Sequence, residues 1–222
     1  VKAVLVNMGF DAIPAMDVIS YLKLGRGDII TLVSPVSRDE GAITRGEQAR
    51  AQVRSYVAAL RAAGREITLN ELAVDQSEPG DAFSKIAALA KSYKERMGHV
   101  VLELSGGARM LTALMVMMAL LCPGLVDEVT LLNDVTRNRL AIPVSGLSLL
   151  PPGSKLRKVL GLIASKGGAK RAEIAEALDS SPASVSRAVT KLKRLGLVEE
   201  RLRVLSLARE HAELAKLFSS LL

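Results

Sequence analysis

Two short segments carry the side chains best suited to hold an anion. Asn7-Met8-Gly9-Phe10-Asp11 closes the apolar run AVLV, and Ser105-Gly106-Gly107-Ala108-Arg109-Met110 follows HVVLEL. Glycines let backbone amides come close to a ligand, and the first turn of a following helix favours negative charge. Ser105 adds a hydroxyl, and Arg109 adds a cation that can fork onto a phosphate. The chemistry on offer is phosphate binding. Neither segment is a standard nucleotide fingerprint: no Lys-Ser/Thr follows a Gly-x4-Gly, and no GxGxxG follows the first apolar run. Taken alone, Gly106-Gly107 reads equally well as a tight strand-to-helix turn. Met8 and Met110 read better as core residues than as ligand contacts.

A third segment offers different chemistry. In IAEALDSSPASVSRAVTKLKRLGLV, residues 174–198, Ile174, Ala175 and Leu178 make one apolar face, and Val185, Val189, Leu192 and Leu195 make another. Ser181 stands at a helix N-cap with Pro182 at the first helical position. Ser184, Arg187, Lys191 and Arg194 fall on the opposite side. Short donors and an Arg suit base edges, while a basic helix end suits phosphates. Ser181, Ser184, Ser186, Arg187, Thr190 and Lys191 are the expected DNA contacts, with Arg201 and Arg203 on a following two-stranded wing. Glu199 and Glu200 beside them weaken the claim for the wing. The segment resembles the helix-turn-helix of winged-helix transcription regulators. A winged helix used for dimerisation or protein contacts is the alternative.

The elements that must position these residues follow from periodicity. AVLVNM, DIITLV, REITLNEL, HVVLEL, DEVTLL and RLAIPV read as six strands. Helices are expected between them: Asp11 to Leu24 on Ile13, Met16, Ile19 and Leu22; a long one to about Ala63 on Val53, Val57 and Leu60; one on Phe83, Ile86, Ala90, Tyr93 and Met97; and Met110 to Cys122. Short apolar strands alternating with helices imply an α/β, Rossmann-like, mostly parallel sheet covered on both faces. The sixth strand follows the fifth too closely for a parallel crossover, so it is antiparallel. In the commonest doubly wound order, strands 1 and 4 flank the point where the order reverses, which places the two glycine turns side by side. SGLSLLPPGS, residues 145–154, reads as a linker. The domains expected are therefore 1–144, a linker at 145–154, and a small winged helix at 155–222. A last helix is expected from about Arg209 to Leu222, with Leu214, Leu217 and Leu221 on one side.

Composition narrows the function classes. Residues 1–150 carry 16 Lys+Arg and 16 Asp+Glu, whereas residues 151–222 carry 14 and 7. The whole excess of +7 lies in the last third, which fits a polyanionic partner there. One cysteine, Cys122, and two histidines, His99 and His211, leave no intrachain disulfide and no Cys/His zinc cluster. With three Phe, three Tyr and no Trp, a base-stacking platform for single strands is disfavoured. The apolar run Met110 to Cys122 is too short to span a bilayer. The expectation is a cytoplasmic protein without membrane contact, metal or cofactor.

The order of these features is similar to that of the archaeal CRISPR-associated transcription regulators that join a CARF domain to a winged helix, the Csa-type CARF/HTH proteins. VNMGF after strand 1 and ELSGGARM after strand 4 carry the resemblance, together with the C-terminal motif. Glu103, Ser105 and Arg109 match the CARF pattern of an acid or amide, a spacer, Ser or Thr, three spacers, and Lys or Arg. Glu103 is the less usual choice over Asp or Asn. The resemblance implies a homodimer that binds a cyclic oligoadenylate, usually cyclic tetra-adenylate, on its two-fold axis. It implies that Asn7, Met8, Gly9, Phe10 and Asp11, with Ser105, Gly106, Gly107, Arg109 and Met110, line that site. The loop from Ser34 to Arg45 would close over it through Ser37, Arg38, Thr44 and Arg45. Arg38 and Arg45 serve equally well as solvated surface charges. Double-stranded DNA, with promoters of CRISPR or cas genes as the expected sites, is the implied partner of the winged helix.

A ring four phosphates around suits two identical loop sets. Ligand binding would then bias the placement of the two subunits and the spacing of their recognition helices. The competing reading is a ring nuclease that cleaves its own ligand by attack of a ribose 2′-hydroxyl. No His or Lys lies near the glycine turns in sequence, so binding without efficient turnover, and hence no enzyme, is expected. A dinucleotide-dependent repressor is the third reading, disfavoured by the missing GxGxxG.

Overall fold

Residues 1–122, 124–133, 135, 136, 138–144 and 153–208 are described by a computed structural model. Contacts divide the chain into two units, Val1–Arg139 and Leu140–Leu222. The first unit is laid out as β1 (Lys2–Asn7), α1 (Ile13–Tyr21), β2 (Ile29–Pro35), α2 (Glu40–Ala62), β3 (Thr68–Val74), α3 (Pro79–Met97), β4 (His99–Glu103), α4 (Arg109–Leu121) and β5 (Glu128–Leu132), and β6 (Arg139–Pro143) begins at its last residue and continues past the boundary. The sheet order is β3-β2-β1-β4-β5-β6. Strands β1 to β5 pair in parallel, with Val6 opposite Glu103 where β1 meets β4. The order reverses between β1 and β4, as the commonest doubly wound topology requires.

The central strands are apolar end to end because both faces are covered. Ala3, Val4, Leu5 and Val6 of β1 and Val100, Val101 and Leu102 of β4 have no solvent exposure. On one face Val4, Val6, Ile30 and Leu32 pack with Ala15, Val18 and Ile19 of α1 and with Val53 and Val57 of α2. Pro14, Ala15, Val18 and Ile19 of α1 are buried, and Met16 and Leu22 pack against the same core as Ile19, so of the expected stripe only Ile13, 44% exposed, is turned outward. Residues spaced three apart drift by about 60° per step around a 3.6-residue helix, which carries the far end of such a row off the core. A polar hub lies on β2 and α3: the Tyr93 hydroxyl is 2.7 Å from Thr31 Oγ1 and accepts from Asn70 Nδ2 at 3.0 Å.

The second unit contains α5 (Lys155–Ser165), β7 (Ala169–Lys170), α6 (Arg171–Ala177), α7 (Pro182–Arg194), β8 (Val198–Arg201) and β9 (Val204–Leu207), with sheet order β7-β9-β8. Val159, Ile163, Ile174, Val185, Val189, Leu192, Leu197 and Leu205 close its core. Leu195 packs at the margin. Strand β7 escapes sequence reading because two residues carry no periodicity. Residues 145–152 of the expected linker at 145–154 and the expected helix from 209 lie outside the described residues.

Removal of the Tyr93 hydroxyl leaves Thr31, which is 1% exposed, without its partner. Tyr93→Phe is expected to lower stability by about 1–2 kcal/mol with an unchanged m-value in urea. No shift of the midpoint would mean that Thr31 finds another partner.

Candidate functional site

The two glycine turns lie against one another. A Cβ on Gly9 would stand 2.8 Å from Gly107 N, and one on Gly106 would stand 3.1 Å from Asn7 O. Gly107 has φ +81°, and its Cβ would fall 1.8 Å from Asn7 Oδ1. No other residue fits there. Asn7 lies beneath the contact, 1% exposed. Its Nδ2 donates to Thr112 Oγ1 at 2.7 Å and to Ala108 O at 3.3 Å, which ties the end of β1 to the start of α4. Asn7 Oδ1 has no hydrogen-bond partner among the described residues.

Above the turns opens a cavity of about 910 Å³. Of the expected residues, Met8, Gly9, Phe10, Asp11, Ser37, Gly106 and Gly107 line it. Asn7, Arg38, Thr44, Arg45, Ser105, Arg109 and Met110 are not in its wall. Arg45 instead stacks 4.5 Å over the Phe10 ring and donates to Gly41 O, and Thr44 Oγ1 donates to Glu40 O. Ser37 Oγ accepts from Asp39 N, while Asp39 caps α2 by accepting from Ala42 N at 2.6 Å. Asp11 accepts from Ile13 N at 2.8 Å. Arg109 is exposed at the first turn of α4 and has no ion pair among the described residues. Met110 is 46% exposed and Met8 is 1% exposed, so the core reading holds for Met8 and is corrected for Met110.

Ser105 belongs to a buried network instead. Its N–H and its hydroxyl both reach Glu103 Oε1, and its Oγ accepts from Leu132 N. Glu103 is wholly buried; Oε2 accepts from Thr130 Oγ1 at 2.6 Å and pairs with Arg139 Nη1. Arg139, only 4% exposed, also reaches Asp17 Oδ2 at 2.6 Å. A buried carboxylate is tolerated when paired and fully hydrogen-bonded, and this one is. Sequence reading missed Arg139, Thr130 and Asp17. It also missed Glu47, Arg50 and Glu71 in the cavity wall. Arg50 and Arg54 lie on the face of α2 that carries Glu47, and Arg54 bridges Glu47 to Glu71, at 2.6 Å from the latter. Arg54 first, then Arg50, holds the Glu47 carboxyl below its usual 4.5. The spacing of 47, 50 and 54 is the only sequence signal for this cluster.

In the second unit, Ser181 caps α7 by accepting from Ser184 N at 3.3 Å. Ser186, Arg187, Thr190, Lys191, Arg194 and Leu195 line a shallow groove of about 600 Å³ along that helix. Arg187, Lys191 and Arg194 have no ion pairs among the described residues. Ser184 Oγ accepts from Lys155, Ser186 Oγ accepts from Arg171, and Thr190 donates to Ser186 O. Glu200 pairs with Arg171 at 2.8 Å and Lys193 at 3.1 Å, and Glu199 with Arg201 at 3.4 Å. Arg171 first, then Lys193, lowers the Glu200 pKa from 4.5. The two acids therefore leave no unpaired negative charge on the wing.

The model of the Csa3 CRISPR-associated Rossmann-like domain matches residues 2–142. The chain belongs to this family. Residues 155–202 match the N-terminal DNA-binding domain of the iron-dependent repressors. The chain is thus a CARF-like Rossmann domain fused to a helix-turn-helix domain of DNA-binding type, the Csa-type organisation. Among solved structures, Can2 from Sulfobacillus thermosulfidooxidans, in complex with cyclic tetra-adenylate, aligns with 99% of this chain at 9% identity and a TM-score of 0.42. The chain spans 64% of the length of Can2. No curated protein matches. The expectation that the chain is not an enzyme is withdrawn: the lack of a nearby His or Lys is no ground for it, because attack by a ribose 2′-hydroxyl needs in-line positioning and charge stabilisation rather than a side-chain base. No described helix is long and apolar enough to cross a membrane, and no described cluster of three or more His, Cys, Asp or Glu could hold a metal ion.

Gly107→Ala is expected to cost about 3 kcal/mol, from the clash with Asn7 and from the positive φ together. Asn7→Gly in the same chain should recover the clash component only. Equal stability of Gly107→Ala and the parent in a thermal melt would mean the two turns are not in contact.

Proposed function

We propose that the first unit binds a cyclic oligoadenylate, with cyclic tetra-adenylate the best fit, and that the second binds double-stranded DNA, so that the chain is a ligand-responsive transcription regulator. The observation that carries the first half is the contact between Gly9 and Gly107 beneath a cavity of about 910 Å³, with an unpaired Arg109 beside it. Backbone amides and a free guanidinium are the groups a phosphate ring requires. Cyclic tetra-adenylate bound to Can2 is consistent with that reading. The uncommitted Arg187, Lys191 and Arg194 along one groove support the second half.

The ring calls for two copies of the site. Met110, Val116, Met117, Leu120 and Leu121 of α4 are between 37% and 65% exposed and fall on one stripe that starts beside the glycine turn. Two copies of this chain joined on that stripe would bring their Gly106-Gly107 turns toward a shared two-fold axis. Ring opening by a ribose 2′-hydroxyl is the second reading. The groups favouring it are the same Arg109 and turn amides, which could stabilise charge on the scissile phosphate.

Calorimetric titration with cyclic tetra-adenylate is expected to give one ring per two chains, with affinity reduced at least tenfold in Arg109→Ala. No binding by the parent chain would sink the sensor reading. Linear oligoadenylates accumulating over many turnovers would establish the nuclease, and an intact ring would exclude it. Met117→Glu places a charge in the proposed contact; light scattering should then report a monomer. A dimer unaffected by Met117→Glu would move the interface elsewhere.

A further inference from the structure

The wing carries a turn that its residue types do not favour. Strands β8 and β9 pair from Val198↔Leu207 to Arg201↔Val204, which leaves Leu202 and Arg203 as the two central residues of the hairpin. Leu202 has φ +50° and Arg203 has φ +67°. Two-residue turns with both central residues at positive φ normally use Asn-Gly, Asp-Gly or Gly-Gly, because a Cβ in that conformation crowds the following carbonyl. Leu202 is also 98% exposed, the most of any large apolar side chain described. Folding favours neither its conformation nor its exposure. Such a residue points to a contact outside the chain.

Its neighbours define the partner. Arg203 is an unpaired cation among the described residues, and Arg201 holds only a solvent-exposed pair with Glu199 at 3.4 Å. An apolar tip between two cations is complementary to a groove walled by phosphates and floored by stacked bases. An apolar protein pocket would leave both guanidinium groups without partners. We propose that Leu202 is a wedge that enters the minor groove of duplex DNA and parts a base step, with Arg201 and Arg203 on the flanking phosphates. The inference rests on the DNA-binding reading of the second unit. Apolar side chains inserted in this way unstack the step they enter, and pyrimidine–purine steps yield most easily.

The test uses the full chain and a short duplex of alternating A and T carrying 2-aminopurine, in which every pyrimidine–purine step is equivalent. The parent chain should bind it, read by anisotropy, and brighten the 2-aminopurine as stacking is lost. Leu202→Asn suits the turn and should raise Tm. It should weaken binding roughly five-fold, leave the salt dependence unchanged because no phosphate contact is removed, and abolish the brightening. Leu202→Met should retain the brightening. Binding without brightening by the parent chain, or equal binding and brightening by Leu202→Asn, overturns the wedge alone. No binding by the parent chain overturns the DNA reading and the wedge together.

Discussion

The site depends on the contact of two backbones. β1 and β4 are parallel neighbours at the point where the strand order reverses, so the chains leaving their carboxyl ends depart toward opposite faces of the sheet. The turns must still pass one another, and they do so at Gly9 and Gly107 with no room for a Cβ on either. The bland and the functional readings of Ser105-Gly106-Gly107 are therefore not alternatives. Packing demands the glycines, and Gly9, Gly106 and Gly107 also line the cavity. Asn7 supports the arrangement from below by tying the end of β1 to Ala108 and Thr112.

The buried chain Asp17–Arg139–Glu103–Ser105 divides the labour within that motif. Glu103 and Ser105 match a family pattern alongside Arg109, yet only Arg109 is exposed. The Ser105 hydroxyl is occupied on one side by Glu103 and on the other by the Leu132 N–H. A wholly buried carboxylate must find opposite charge and hydrogen bonds at nearly every lone pair, and Arg139 with Thr130 provides them. The reward is specificity of position rather than net stability: the last residue of β4 and the first of the turn are held in one geometry. In this motif Glu103 and Ser105 build the scaffold, and only Arg109 faces solvent.

Much of the fold was legible because parallel strands buried on both faces are continuous apolar runs separated by helical periods. The order of the sheet followed from the commonest doubly wound topology, and the placement of Gly9 beside Gly107 followed from that order. What could not be read was anything assembled across elements. Glu47 on α2 and Glu71 on β3 are 24 residues apart and meet through Arg54 only because β3 lies beside β2. Arg139 is 36 residues from Glu103 and carries no motif. On α1, Met16, Ile19 and Leu22 meet the core as their spacing suggested, and only Ile13 does not, because spacing by three drifts around a 3.6-residue helix. Wing pairing of Glu200 with Arg171 and Lys193 was equally invisible, since adjacency in sequence made Glu199 and Glu200 look like a local negative patch.

Net charge is therefore a coarse guide to what a surface can bind, and the pairing of charges refines it. The +7 excess places the basic character in the last third of the chain without saying which cations are free. In the second unit Arg171 and Lys193 pair with Glu200, while Arg187, Lys191 and Arg194 along one groove and Arg203 at the wing tip have no ion pair among the described residues. In the first 150 residues the charges balance, yet pairing again separates the cations: Arg50 and Arg54 are neutralised by Glu47 and Glu71, Arg139 by Glu103 and Asp17, whereas Arg109 is one of those with no ion pair among the described residues. An exposed cation with no ion pair is what an anionic ligand can use at no cost of breaking an existing pair. Neutral overall charge and local attraction of an anion are thus compatible, because a ligand meets the unpaired groups and not the sum.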